Sequence, residues 1–173
     1  MTESSTPHWT NAMEAAHEAV RSALSELDLE WEESDDGFVV TIPGARKLKT
    51  EVAVMIGRHA VQVRAFIARH PDENLSGTYG WLLQRNLKLR GVAFATDRLG
   101  DIYLIGNVQV QTVTAYQIDA LLGEIAEAAD ESFNPILELG FASSIRKEWQ
   151  WRLDRGESTT NLAAFEHLRP DRD

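Results

Sequence analysis

The strongest constraint on this chain is a change of hydrophobic period at residue 29. From Leu29 to Ala68 the sequence "LEWEESDDGFVVTIPGARKLKTEVAVMIGRHAVQVRAFIA" alternates apolar and polar residues in four consecutive runs. Val52, Val54 and Ile56 alternate in the third run, and Val61, Val63, Ala65 and Ile67 in the fourth. A period of two puts such residues on one face of a strand. The links are short: "DDG", "GARKLKT" and Gly57–His59. They leave no length for a crossover helix, so neighbouring strands run antiparallel. One apolar face per strand means the sheet needs cover on one side only.

Helical periodicity supplies that cover. Between Thr6 and Asp28, Trp9, Met13, Ala16, Val20, Leu24 and Leu27 recur at intervals of three and four. Thr6 before Pro7 fits an N-cap followed by proline at the first helical position. "HPDENLSG" then breaks the strand pattern, and a second helix is predicted from Leu75 to Leu89. Tyr79, Leu82, Leu83, Asn86 and Leu87 share its apolar face, while Trp81, Arg85 and Lys88 lean away. Gly91 is placed as its C-terminal cap, with Lys88 and Arg90 opposing the negative end of the helix dipole. Asn86, an amide on an apolar face, must find partners, and backbone at a neighbouring strand end is expected to supply them.

"VAFAT" and "DIYLIGNVQV" give two further strands, turning at Asp97–Gly100. "TAYQ" is a capping box with Thr114 as cap and Gln117 at the third position, and it opens a long helix. Pro135 is expected to kink or restart that helix, and Gly140 to end it. A last helix from Ser144 to Arg155 carries Ile145, Trp149 and Leu153, and Leu162, Phe165 and Leu168 form an amphipathic turn in the tail. The fold class is α+β, an antiparallel twisted sheet of about five or six strands covered by helices. Residues 1–142 make the main unit, and residues 143–173 a helical extension with a polar tail.

Chemistry is hard to place in this pattern. With no cysteine among 173 residues, disulfides, thiolate metal sites and a cysteine nucleophile are excluded. None of His8, His17, His59, His70 and His167 has a partner at a metal-binding interval. The acids Glu30, Glu32, Glu33, Asp35 and Asp36 read as a solvated strand edge and turn, not as a carboxylate pair with opposed environments. No glycine-rich phosphate loop or nucleophile elbow is present. The expectation is no enzyme, no catalytic residue, no metal and no cofactor. A net charge of −10 argues against nucleic acid despite Arg85, Lys88, Arg90 and Arg98 near two aromatic rings. "MTESSTPHW" lacks the basic and apolar regions of a secretory signal, and no apolar run approaches membrane-spanning length, so a cytoplasmic protein without membrane contact is expected.

The stretch "YGWLLQRNLKLRGVAFATDRLGDIYLIG" has a helix ending L-L-x-x-N, a basic leucine-rich exit, a glycine, an apolar strand, an acidic turn and "D-I-Y-L". It resembles the core signature of the YbjN-domain family, and the order of elements from Thr6 to Gly140 is similar to that family's. Asn86, Arg90 and Asp101 match the signature. The resemblance implies a fold like that of type III secretion chaperones, often dimeric, acidic and non-enzymatic, holding extended client segments. On it rests the expectation of an unidentified protein partner and a homodimer. The candidate partner or dimer surface is Trp81, Arg85, Val108, Val110, Trp149 and Trp151, with the run from Asp101 to Thr112 as an edge strand to which a client adds. The alternative is a small-molecule regulatory domain with a pocket between sheet and helices, lined by Phe66, Phe94 and Tyr103.

Overall fold

The structure is a computed structural model and describes residues 10–171. The elements run α1 (Asn11–Glu26), β1 (Glu30–Ser34), β2 (Gly37–Pro43), β3 (Lys49–Ile56), β4 (Ala60–Ala68), α2 (Leu75–Asn86), β5 (Val92–Thr96), β6 (Ile102–Gln109), α3 (Ala115–Gly140) and α4 (Ala142–Arg155). A 3-10 segment, Thr160–Leu168, follows. All six strands form one antiparallel sheet in the order β1-β2-β3-β4-β6-β5. This is the α+β architecture that the two periodicities demand.

The alternation sorts the sheet into two faces. Phe38, Val40, Val52, Val54, Val61, Val63, Ile102 and Leu104 point inward and are essentially inaccessible. Against them lie α1, which buries Met13, Ala16, Val20, Ala23 and Leu24, and α3, which buries Ile118, Leu122, Ile125 and Ile136. On the outer face Val39 and Phe66 stay exposed.

Several boundaries differ from the sequence reading. The first helix begins at Asn11, where the Thr10 hydroxyl accepts from the Met13 N–H; Thr6, Pro7 and Trp9 lie outside the described residues. The second helix ends at Asn86 with Leu87 as cap, so Lys88 and Arg90 are outside it and Gly91 caps nothing. Its packing face is also rotated. Leu83 and Leu87 are exposed, whereas Trp81 and Arg85 are half-buried, because α2 rests on β5 and α3 rather than squarely on the sheet. The third helix runs through Pro135 without restarting. The ring removes one N–H, yet Ala128, Ala129, Ser132 and Ile136 around it are held in the core, which outweighs one lost backbone bond.

Long helix α3 is tied to the sheet's loops by its own acids. The Asp130 carboxylate accepts from the backbone N–H of Arg46 at 2.6 Å and of Lys47 at 3.0 Å. Burial works against that charge, but these N–H groups hold its pKa below the usual carboxylate range. Glu124 accepts from the N–H of Arg90 at 2.7 Å and of Gly91 at 2.8 Å. A Cβ on Gly91 would lie 2.6 Å from Leu121 Cδ2, so a side chain there would require Leu121 to shift.

Beyond Gly140 a second cluster forms from Ile145, Trp149, Leu162 and Phe165, joined to the main core through Leu137. Trp149 is buried and donates its indole N–H to the Phe165 carbonyl at 3.2 Å, while Trp151 is exposed under Arg155. Two positions apart on a helix, the rings face different ways, as their spacing requires. The Ser144 hydroxyl and Arg69 converge on Asp72, and the hydrogen bond from Arg69, then that from Ser144, holds the Asp72 carboxyl at about 2.

Candidate functional site

An added strand needs an edge whose N–H and C=O groups are free. The outer strands are β1 and β5, so the expectation that residues 101–112 form an edge is corrected: β6 is interior, paired with β4 on one side and β5 on the other. Val110 is 2% exposed, packs in the core and offers no surface.

Each true edge is obstructed. On β1, Glu30, Glu32 and Glu33 line a five-residue strand, and Glu33 is gripped by Arg21 at 2.7 Å and by His17 at 3.0 Å. Charge on a short edge repels another strand. On β5 the obstruction is Asn86. Its amide oxygen accepts from the Phe94 N–H at 2.7 Å, and its amide nitrogen donates to the Phe94 carbonyl at 3.3 Å. One side chain thus takes the place of a neighbouring strand at mid-edge. The expectation that Asn86 would find backbone at a strand end holds in substance, although it meets the middle of β5.

What stays open is a notch. β5 begins at Val92, opposite Gly106, while β6 continues to Gln109 with only β4 beside it. Among the described residues, positions 107–109 therefore have no strand partner on the β5 side. The notch opens into a groove of about 750 Å³ between the 88–91 loop and the first half of α3. Val108, half-buried, and Leu89 form apolar wall, and Tyr116, 79% exposed, stands at the rim. Arg85 lines it too, paired with Glu131 of α3. Its polar residues are of both signs, Lys88 and Arg90 facing Glu124 and Glu127.

The six residues proposed from the sequence are therefore not one surface. Arg85 and Val108 meet in the groove; Trp81 packs partly against the main core; Val110 is buried; Trp149 and Trp151 belong to the α4 cluster. Sequence reasoning missed Tyr116 and Glu124. Their signal was an aromatic ring in the first turn of α3 and an acid on the turn facing Gly91. The alternative pocket does not form as expected: Phe94 points into the core, and Phe66 and Tyr103 pack edge to face on the opposite side of the sheet. One residue parity separates them.

The signature residues are accounted for by backbone bonds. Asn86 holds Phe94, the Arg90 N–H goes to Glu124, and the Asp101 carboxylate accepts from the His70 N–H at 2.8 Å. Among the described residues no group of three or more His, Asp or Glu is placed to hold a metal ion, and no helix is long and apolar enough to cross a membrane.

Comparison with known proteins agrees with the signature. An uncharacterized protein of Mycobacterium tuberculosis is 44% identical over 167 residues, covering 93% of this chain and 91% of its own. One of Mycobacterium leprae is 51% identical over 134 residues, covering 78% and 73%. Among solved structures, E. coli YbjN aligns at 16% identity over 66% of this chain and 89% of its own, with a TM-score of 0.48. The Yersinia pestis type III secretion chaperone SycH, in complex with a fragment of YscM2, aligns at 18% identity over 66% and 96%, with a TM-score of 0.47. Residues 16–138 match the family model YbjN, described as "Putative bacterial sensory transduction regulator". On that match, and on relatives aligned along nearly its whole length, the chain belongs to the YbjN family.

Proposed function

We propose that this protein is a non-catalytic regulator that binds another polypeptide, accepting a short extended segment as an added strand in the notch beside Asn107–Gln109. The carrying observation is the mismatch in strand length, β5 stopping opposite Gly106 while β6 runs on. Both outer edges are obstructed, whereas beside Asn107–Gln109 no strand lies on the β5 side among the described residues, although the Gln109 carbonyl accepts from the Thr112 N–H at 3.1 Å. The added segment continues the line of β5, its backbone pairing with β6 and its alternate side chains meeting Val108 and Tyr116. The family description as a signalling regulator fits a binding role.

A photo-crosslinking residue at Tyr116 is expected to trap a polypeptide in the native host, while the same probe at Leu99, equally exposed but outside the groove, traps none. Val108→Arg should reduce the adduct about ten-fold or more, since an arginine fills the groove wall. Equal trapping at both positions, or an adduct indifferent to Val108→Arg, would refute the notch.

A second copy of the chain fits a different surface. Across the open face of the sheet, Val39, Ala53, Ile105 and Ala93 stand in one row, interrupted by Arg64, which stacks on Tyr103 at 4.0 Å. We propose the homodimer seam on this face, with Ile105 of β6 in its middle, rather than on α2 and the 107–112 end. Light scattering at micromolar concentration should report a dimer, and Ile105→Lys should give a folded monomer. A wild-type monomer removes the seam without touching the notch.

A further inference from the structure

A second groove, of about 520 Å³, lies where the end of β4, the last turns of α3 and α4 meet. Its volume falls in the range of small-ligand sites. Its apolar wall is Phe133 together with Phe141 from the main cluster, Leu162 from the second and Leu137 between them. The charged groups nearby besides Lys47 are Arg69, Glu148, the Asp72 that Arg69 grips, and Asp130, whose carboxylate is held by Arg46 and by the Lys47 N–H. Arg69 is held by Asp72 at 2.6 Å, and Glu148 by Arg152 at 2.6 Å. Lys47 differs. Its ammonium lies 5.2 Å above the Phe133 ring and 6.0 Å above the Phe66 ring, with no carboxylate at ion-pair distance among the described residues. Burial pushes its pKa below the ordinary lysine range. Ring faces offset part of the cost of a half-buried cation, and an anion would offset the rest.

We propose that this groove binds a straight-chain aliphatic carboxylate, the chain against Phe133, Leu137 and Leu162 and the carboxylate on Lys47 Nζ. This inference is independent of the notch, which lies at the other end of α3. The bound chain would touch both clusters and so tighten α4 and the 3-10 segment onto the main core. A site made only of apolar wall would take neutral and charged amphiphiles alike; a lone ammonium at its mouth selects the anion.

The test is calorimetric titration of the full chain with decanoate and with 1-decanol, repeated on Lys47→Met, which keeps the apolar stem and deletes the charge. Decanoate is expected to bind one to one, about ten-fold or more tighter than decanol, and Lys47→Met to abolish that preference while leaving decanol binding and the melting temperature unchanged. A thermal upshift with decanoate gives a second readout. No decanoate binding below about 1 mM, equal affinity for acid and alcohol, or an unaltered preference in Lys47→Met would overturn the proposal. So would binding of an apolar tetrapeptide's carboxylate in place of decanoate.

Discussion

Gly37→Val is expected to lower unfolding free energy by more than about 3 kcal/mol, the range of severe backbone defects. Gly37 opens β2 at φ +151°, a conformation side chains rarely adopt. Its neighbour across the ladder is the decisive fact. A Cβ there would sit 1.9 Å from the carbonyl oxygen of Val54, inside the backbone of β3. Nothing flexible can yield, so either the β2–β3 ladder opens or the hairpin with β1 is shed. A melting temperature about 10 °C lower is the corresponding shift for a chain of this size. Gly123→Ala is the natural comparison. That helical position has open space around its missing Cβ, and the exchange should stabilise by about 0.5–1 kcal/mol. If Gly37→Val melts within about 2 °C of the parent, the reading of β2 is wrong.

Asn86→Leu should cost about 2 kcal/mol or more and have a second effect that a simple packing defect lacks. The substitution strips the partners from both the N–H and the C=O of Phe94. It also unseals the outer edge of β5. Denaturant titration is expected to show a lowered midpoint with unchanged slope, and light scattering a concentration-dependent association absent from the parent. Gln84→Ala, on the exposed side of the same helix, should stay within about 0.5 kcal/mol and remain dispersed. Loss of stability without association would mean that Asn86 anchors the helix but does not guard the edge.

The strands were legible because their side chains obey a rule local to each run. Val52–Ile56 and Val61–Ile67 announce which face is buried without knowledge of the rest of the chain. Strand order is another matter. The β5–β6 hairpin can dock by either strand, and only the assembled sheet decides that the longer β6 goes inside. That decision converted the expected edge at residues 101–112 into a core strand with an open tip, and it buried Val110. The face of α2 is illegible for a similar reason: Leu83 and Leu87 look like core, yet the helix leans on β5 and leaves them in solvent. At Pro135 the helix does not restart, because the packing of Ser132 and Ile136 overrides the local breaking tendency. Asn86 is the opposite case. A single amide amid apolar neighbours has few ways to be satisfied, and backbone is the nearest.

If an extended segment adds beside Asn107–Gln109 as proposed, the shortness of that opening has a kinetic meaning. A span of that many residues is about 10 Å of extended chain, enough for a handful of backbone bonds. A guest held so briefly gains little from its main chain, and discrimination falls to whichever side chains settle near Tyr116 and Leu89. Rapid exchange among competing tails is the behaviour this geometry favours, and prolonged sequestration of an unfolded cargo is not.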